Sequence, residues 1–225
     1  MEWLTQAQKL VDTARSRPEL ELEMRLGAVK RNKRFEAGVD AEKWDTIVEA
    51  LTEYDDWKNV TPWRMRYDLM FANSVRVSVE SALGDITTTT TTTRKTRVKV
   101  VDIPIEQSQW SLRLATSVEQ PVQLEGHEVA SASLVRAKQM RSFETQSGVR
   151  FDVSRVWNAS TLSKVNTLIE TSAPTAFEVE LEIVNRNYFE HTNVYIVKSM
   201  LMKMCDLVLS DIPNDNSAKA AIKTD

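Results

Sequence analysis

Two segments of this chain carry glutamates in strict alternation with apolar residues: Glu19-Leu-Glu21-Leu-Glu23 near one end and Glu178-Val-Glu180-Leu-Glu182 near the other. On an extended strand, side chains at i, i+2 and i+4 share one face, so each segment presents three carboxylates on one side and apolar groups on the other. Like charges this close repel unless a cation compensates them. No cysteine or histidine accompanies the glutamates. A hard, oxygen-liganded ion, Mg²⁺ or Mn²⁺, suits such a donor set.

Cations alternate in the same way between the two acidic segments. Ser74-Val-Arg76-Val-Ser78-Val-Glu80 has one polar and one all-valine face, and Lys95 extends the basic alternation of Arg97-Val98-Lys99-Val100. Trp110, Leu112, Leu114 and Val118 lie opposite Ser111, Arg113, Ala115, Ser117 and Glu119. Arg136 and Lys138 are in register, and so are Arg150, Asp152 and Ser154. Alternation of this kind fits an antiparallel sheet with one wet face. It also fits a closed barrel whose charged faces point into a hydrated lumen while the valine and leucine faces pack outside. About seven strands bear charges of both signs, and exposed ion pairs add little stability; the pattern favours the barrel. A lumen with carboxylates on one side and Arg/Lys on the other suits a polyphosphate joined to the carboxylates by a divalent metal. The matching reaction is hydrolysis of a terminal phosphoryl group, with a carboxylate orienting the attacking water.

These strands need elements to back them. Residues 2–16 read as an amphipathic helix with Trp3, Leu4, Ala7, Leu10, Val11 and Ala14 on one face, stopped by Pro18. A second helix is expected over Ala41–Tyr54, with Asp40 as its N-cap and Trp44, Ile47, Val48 and Leu51 inward. A third is expected from about Tyr188 to Leu209, with a stripe of Val194, Val197, Leu201, Met204 and Val208 and with Met200, Met202 and Met204 as core filler. The segment 64–156 has strand texture, and 157–174 reads as a connector with a short helix. The seven-threonine run Thr87–Thr93 is expected to be a loop and 211–225 a flexible tail. The resulting division is one domain over 1–210, its barrel over about 19–184.

Composition narrows the chemistry. The 225 residues carry a formal charge of −3, which excludes a generally basic nucleic-acid binder. One cysteine excludes an internal disulfide. Five glycines and two histidines leave no glycine-rich phosphate loop, zinc spacing or Ser/His/Asp arrangement. No apolar run approaches a membrane span, so the expectation is a soluble, intracellular protein.

The runs Leu20-Glu-Leu-Glu-Met-Arg-Leu-Gly27 and Phe177-Glu-Val-Glu-Leu-Glu182 resemble the two signature strands of the metal-dependent RNA triphosphatases, the fungal, protozoan and viral branch of the triphosphate tunnel metalloenzymes. The resemblance runs from about Leu20 to Ile183. It implies an α+β fold, an eight-stranded antiparallel β-barrel with flanking helices packed outside, and removal of the γ-phosphate of nascent mRNA before capping. It further implies metal coordination by Glu21, Glu23, Glu180 and Glu182, with Glu178 acting more through a bound water. Arg76, Lys95 (or, in another register, Lys99), Arg113, Arg136, Lys138 and Arg150 fall on phosphate-binding positions. Glu119 falls on the glutamate that positions the water. With Arg76 and Lys138, Asp152 completes the catalytic set, ordering the tunnel wall. Arg136-Ala-Lys138-Gln-Met140-Arg141 departs from the family's Arg-x-Lys-x-Arg, since Met140 takes the last basic place and Arg141 points to the other face.

The leading expectation is a polynucleotide 5′-triphosphatase using Mg²⁺ or Mn²⁺, with nucleoside triphosphatase side activity in manganese. Its functional partner would be an mRNA guanylyltransferase. It would be a monomer acting in the nucleus or in a viral factory, with no membrane association. A tripolyphosphatase or nucleoside triphosphatase of the same fold is the second reading. A non-catalytic RNA-end or polyphosphate-binding module is the third.

Overall fold

The alternating runs become strands, and their register closes them on themselves. The computed structural model describes residues 2–71, 74–82, 88–106, 108–123 and 132–209. In chain order the elements are α1 (Glu2–Ser16), β1 (Leu20–Val29), β2 (Phe35–Ala37), α2 (Ala41–Glu53), β3 (Trp57–Val60), β4 (Arg64–Met70), β5 (Val75–Ala82) and β6 (Thr89–Pro104). They continue with β7 (Ser111–Pro121), β8 (Leu134–Thr145), β9 (Val149–Ala159), α3 (Leu162–Thr171), β10 (Ala176–Ile183), a 3₁₀ turn at Arg186–Glu190 and α4 (Asn193–Leu209). Among the described residues, eight strands in the order β10-β9-β8-β4-β5-β6-β7-β1 pair antiparallel, and β1 pairs again with β10 to close the barrel. Strands β2 and β3 add to β1 and β8 from outside that circuit. The fold is the expected α+β arrangement, a barrel with helices on its outer surface.

The period of two sends apolar side chains outward to the helices. Leu20, Leu22, Met24 and Leu26 of β1, Val179 and Leu181 of β10, and Phe143, Phe151 and Val153 join one core with Leu10 of α1, Trp44 of α2 and Met200 of α4. Burial of each such side chain contributes about 1.5–3 kcal/mol. A smaller cluster of Leu69, Phe71, Val75, Val135 and Trp157 sits under Val165 of α3. Asp40 caps α2 by accepting a hydrogen bond from the Lys43 amide at 2.8 Å. Arg15 fastens α1 to the 3₁₀ turn, donating to the carbonyls of Phe189 (2.8 Å) and His191 (2.6 Å). No described helix is long and apolar enough to cross a membrane.

Several expectations change. Thr89–Thr93 is strand, not loop, and pairs with β5 from Glu80 to Arg76; β-branched threonines favour extended backbone once a partner strand is present. Thr87 and the tail 211–225 lie outside the described residues. The third helix begins at Asn193 and not at Tyr188, because a 3₁₀ turn precedes it. Its buried stripe is Ile196, Val197, Met200, Met204 and Val208, whereas Val194 and Met202 are exposed. Helix α3 supplies the short helix of the 157–174 connector.

Gly27 lets β2 approach β1 closely. A Cβ there would lie 2.2 Å from the Glu36 carbonyl oxygen and 2.7 Å from the Phe35 ring. Gly27→Ala is therefore expected to destabilise the protein by about 1–3 kcal/mol, read as a lowered melting temperature. An unchanged melting temperature would contradict this packing.

Candidate active site

The lumen is a cavity of about 660 Å³. Among the described residues nine cationic and seven anionic side chains line it, an excess of two positive charges. Ion pairs join neighbouring strands around much of the wall.

On the β1–β10 side, Glu23 and Glu182 are direct Cα partners, as are Arg25 and Glu180. Glu21, Glu23, Glu180 and Glu182 all line the cavity. Lys95 reaches Glu21 at 2.9 Å, Glu119 at 3.1 Å and Glu23 at 3.5 Å. Burial alone would lower the Lys95 pKa, but Glu23 and Glu21 outweigh it and hold the ammonium charged. Arg25 contacts Glu23 at 3.2 Å and Glu180 at 3.4 Å. The second contact lacks hydrogen-bond geometry, so Arg25 Nε and Glu180 Oε1 are both buried without a hydrogen-bond partner. Burial, with Glu21 and Asp152 adding repulsion, pushes Glu182 up to about 7 despite Arg150 at 2.7 Å.

Across the lumen, Arg76 Nη2 grips both oxygens of Glu119 at 2.8 and 3.0 Å. Burial would raise the Glu119 pKa, but Arg76 and Lys95 hold it below the usual carboxylate range, so it stays an acceptor at neutral pH. Asp68, 3% exposed, accepts from Arg66 Nε at 2.8 Å and from Ser78 Oγ at 2.6 Å. On the third side Arg150 donates to Asp152 at 3.0 Å, and Asp152 also accepts from Ser142 Oγ.

The structure thus brings Glu21, Glu23, Glu180, Glu182, Arg76, Lys95, Glu119, Arg136, Lys138, Arg150 and Asp152 to one cavity. Two expected residues do not line it. Arg113 is held by Asp102 at 2.6 and 2.8 Å and lies over the Phe35 ring at 4.5 Å. Its donors are engaged where β2 flanks β1, so a phosphate-binding role does not match its position. Glu178 is buried behind Arg136 (2.7 Å) and Lys138 (2.9 Å), which together draw its pKa down to about 2 against the effect of burial. It braces those two cations and is not among the lining carboxylates expected to ligate metal. Lys99 is exposed and pairs with Thr116, while Arg97 pairs with Ser117 and lines the cavity. A β-bulge between Arg97 and Lys99 changes the facing there, so Lys95 and Arg97 are the inward pair. Arg141 lies outside, over the Phe143 ring.

Sequence reasoning missed Arg25, Arg64, Arg66 and Asp68, all of which line the cavity. The signal was present: Arg64-Met-Arg66-Tyr-Asp68 alternates like the other strands, and Arg25 shares the parity of Glu21 and Glu23.

The donor chemistry for a divalent cation is four carboxylates on adjacent strands, with the buried Glu180 Oε1 unpartnered. Those residues fit a hard cation by type and placement. As the side chains stand, with Lys95, Arg25 and Arg150 drawn onto the carboxylates, no three metal-ligating groups converge among the described residues.

A closed antiparallel barrel with a lumen of opposed carboxylates and guanidinium groups has the architecture of a triphosphate tunnel. Solved structures share it. The S. pombe Pct1 RNA triphosphatase is similar over 90% of this chain and 91% of its own, with 16% identity and a TM-score of 0.66. The same protein in complex with the Spt5 CTD gives 15% identity and a TM-score of 0.69 over 92% and 91%. The RNA triphosphatase domain of a trifunctional mimivirus mRNA capping enzyme gives 16% identity and a TM-score of 0.59 over 89% and 95%. No family model matches the chain, and no curated protein matches it. At these identities the likeness shows the fold: this chain has the tunnel fold of RNA triphosphatases.

Proposed function

We propose that the protein is a polynucleotide 5′-triphosphatase that removes the γ-phosphate of triphosphate-ended RNA and leaves a diphosphate end for capping. The observation that carries this is the lumen itself, where four carboxylates on β1 and β10 and the cations Arg76, Lys138 and Arg150 line one cavity. Glu21, Glu23, Glu180 and Glu182 would hold Mg²⁺ or Mn²⁺, which when bound neutralises charge on the phosphoryl oxygens. Arg76, Lys95, Arg136, Lys138 and Arg150 bind the phosphates, and their charges stabilise the transferring group. Glu119, held ionised by Arg76 and Lys95, accepts a hydrogen bond from the attacking water and orients it. Asp152 keeps Arg150 aimed at the lumen.

No aromatic side chain lines the cavity among the described residues, so base stacking has no part in the contacts they make there. That supports a second, overlapping activity on nucleoside triphosphates and inorganic tripolyphosphate, as the phosphates alone carry the affinity. The proposal places the enzyme upstream of an mRNA guanylyltransferase, as a monomer in the nucleus or a viral factory.

The test is release of labelled γ-phosphate from 5′-triphosphate RNA with Mg²⁺, Mn²⁺ or EDTA. The expected result is metal-dependent release of γ-phosphate alone, abolished by EDTA, with RNA ends inhibiting ATP turnover. Turnover of tripolyphosphate or ATP without any release from RNA would shift the function to small triphosphates. No turnover of any substrate would leave a binding module.

A further inference from the structure

Along β8 the inward row runs Arg136, Lys138, Met140, Ser142. Met140 and Met70 are the apolar side chains among the described lining residues, and the row of cations on β8 ends at Met140. Its Cα partner on the neighbouring strand is Arg64 of β4. Arg64 Nη2 donates to Ser142 Oγ at 2.9 Å, which carries the guanidinium across to β8 one inward position beyond Met140. Ser142 in turn donates to Asp152, the partner of Arg150. Arg64 Nε lies 3.0 Å from Glu80 Oε1 but without hydrogen-bond geometry, and is buried with no hydrogen-bond partner. Arg25 Nε and Arg76 Nε of the same cavity are likewise unmatched, and buried donors are ordinarily satisfied.

We propose that Arg64 is a phosphate-binding residue, supplying from β4 a guanidinium beside Met140, where the cationic row of β8 ends. The ligand is a phosphate oxygen of the triphosphate, and the assignment rests on the triphosphatase reading. Arginine suits this place because its planar fork can keep Ser142 with one nitrogen and offer others to a phosphate.

The strands can be exchanged to test it. Binding of inorganic tripolyphosphate with Mg²⁺ is measured by calorimetry for the wild type, Arg64→Met, Arg64→Gln and the double variant Arg64→Met/Met140→Arg. Loss of one charge-assisted contact is expected to weaken binding about ten- to a hundredfold in both single variants. The double variant, with a guanidinium returned on β8, is expected to recover to within about threefold of the wild type. Arg64→Gln keeps an amide donor for Ser142 and so reads the charge even if Arg64→Met folds poorly. Wild-type affinity in Arg64→Gln, or a double variant no tighter than Arg64→Gln, overturns the assignment while leaving the triphosphatase reading in place. A wild type that neither binds tripolyphosphate nor releases phosphate from RNA overturns both.

Discussion

Glu180→Ala is expected to cost about 4 kcal/mol of transition-state stabilisation, roughly a thousandfold in metal-dependent turnover, while the fold survives. Glu180 is the lining carboxylate with an unpartnered buried oxygen, and in the proposed reaction it is a metal ligand. Its removal takes from Arg25 its largest charge partner, but two features limit the cost to the resting protein. Arg25 keeps Glu23 at 3.2 Å as a counter-ion. The neighbouring Glu178, which repels Glu180 and works against its ionisation, loses a like charge beside it. Turnover and thermal melting measured on the same preparation separate the two effects. Full metal-dependent activity in the variant would remove Glu180 from the metal site.

Two positions earlier on β10, Glu178→Ala is expected to act on stability first. Arg136 and Lys138 both close on this one buried carboxylate, at 2.7 and 2.9 Å. Removing it leaves two cations facing each other in a poorly solvated wall, a change that typically costs about 3–5 kcal/mol. The pH dependence has a definite sign. The folded pKa is drawn down to about 2 from an ordinary 4.5, so the unfolded chain binds the proton more readily than the folded one. The stabilisation is therefore complete above about pH 4.5 and is lost as the pH falls towards 2. Denaturant unfolding of the wild type and Glu178→Ala should show a large gap at pH 7 that narrows steadily between pH 4.5 and 2. A gap that does not change with pH would mean that Glu178 stabilises by packing and not by charge.

The contrast between these two glutamates marks how far the sequence could be read. Their alternation with Val179 and Leu181 placed both on one polar face, and the register agrees, with Glu178 opposite Ser154 and Glu180 opposite Asp152. Nothing local distinguished the one that lines the cavity from the one locked behind Arg136 and Lys138. The same holds for Arg113 and Arg76: each sits on an alternating strand, but Arg113 meets Asp102 and Phe35 while Arg76 meets Glu119 two strands away. The bulge that turns Lys99 away from Lys95 is invisible in an unbroken run of alternating basic residues. Arg64, Arg66 and Asp68 are a different kind of miss, since their alternation was as plain as that of the other strands.

Along each unbroken strand the sequence by itself determined which side chains share a face, because the two-residue repeat of a strand is a local property of the backbone. It also determined that those faces are charged with both signs and backed by apolar residues able to hold helices. Only the tertiary structure decided which charges meet. Pairing partners in a closed barrel depend on register, stagger and bulges between strands far apart in the chain. Glu21 on β1 and Lys95 on β6 are 74 residues apart in sequence and 2.9 Å apart in space.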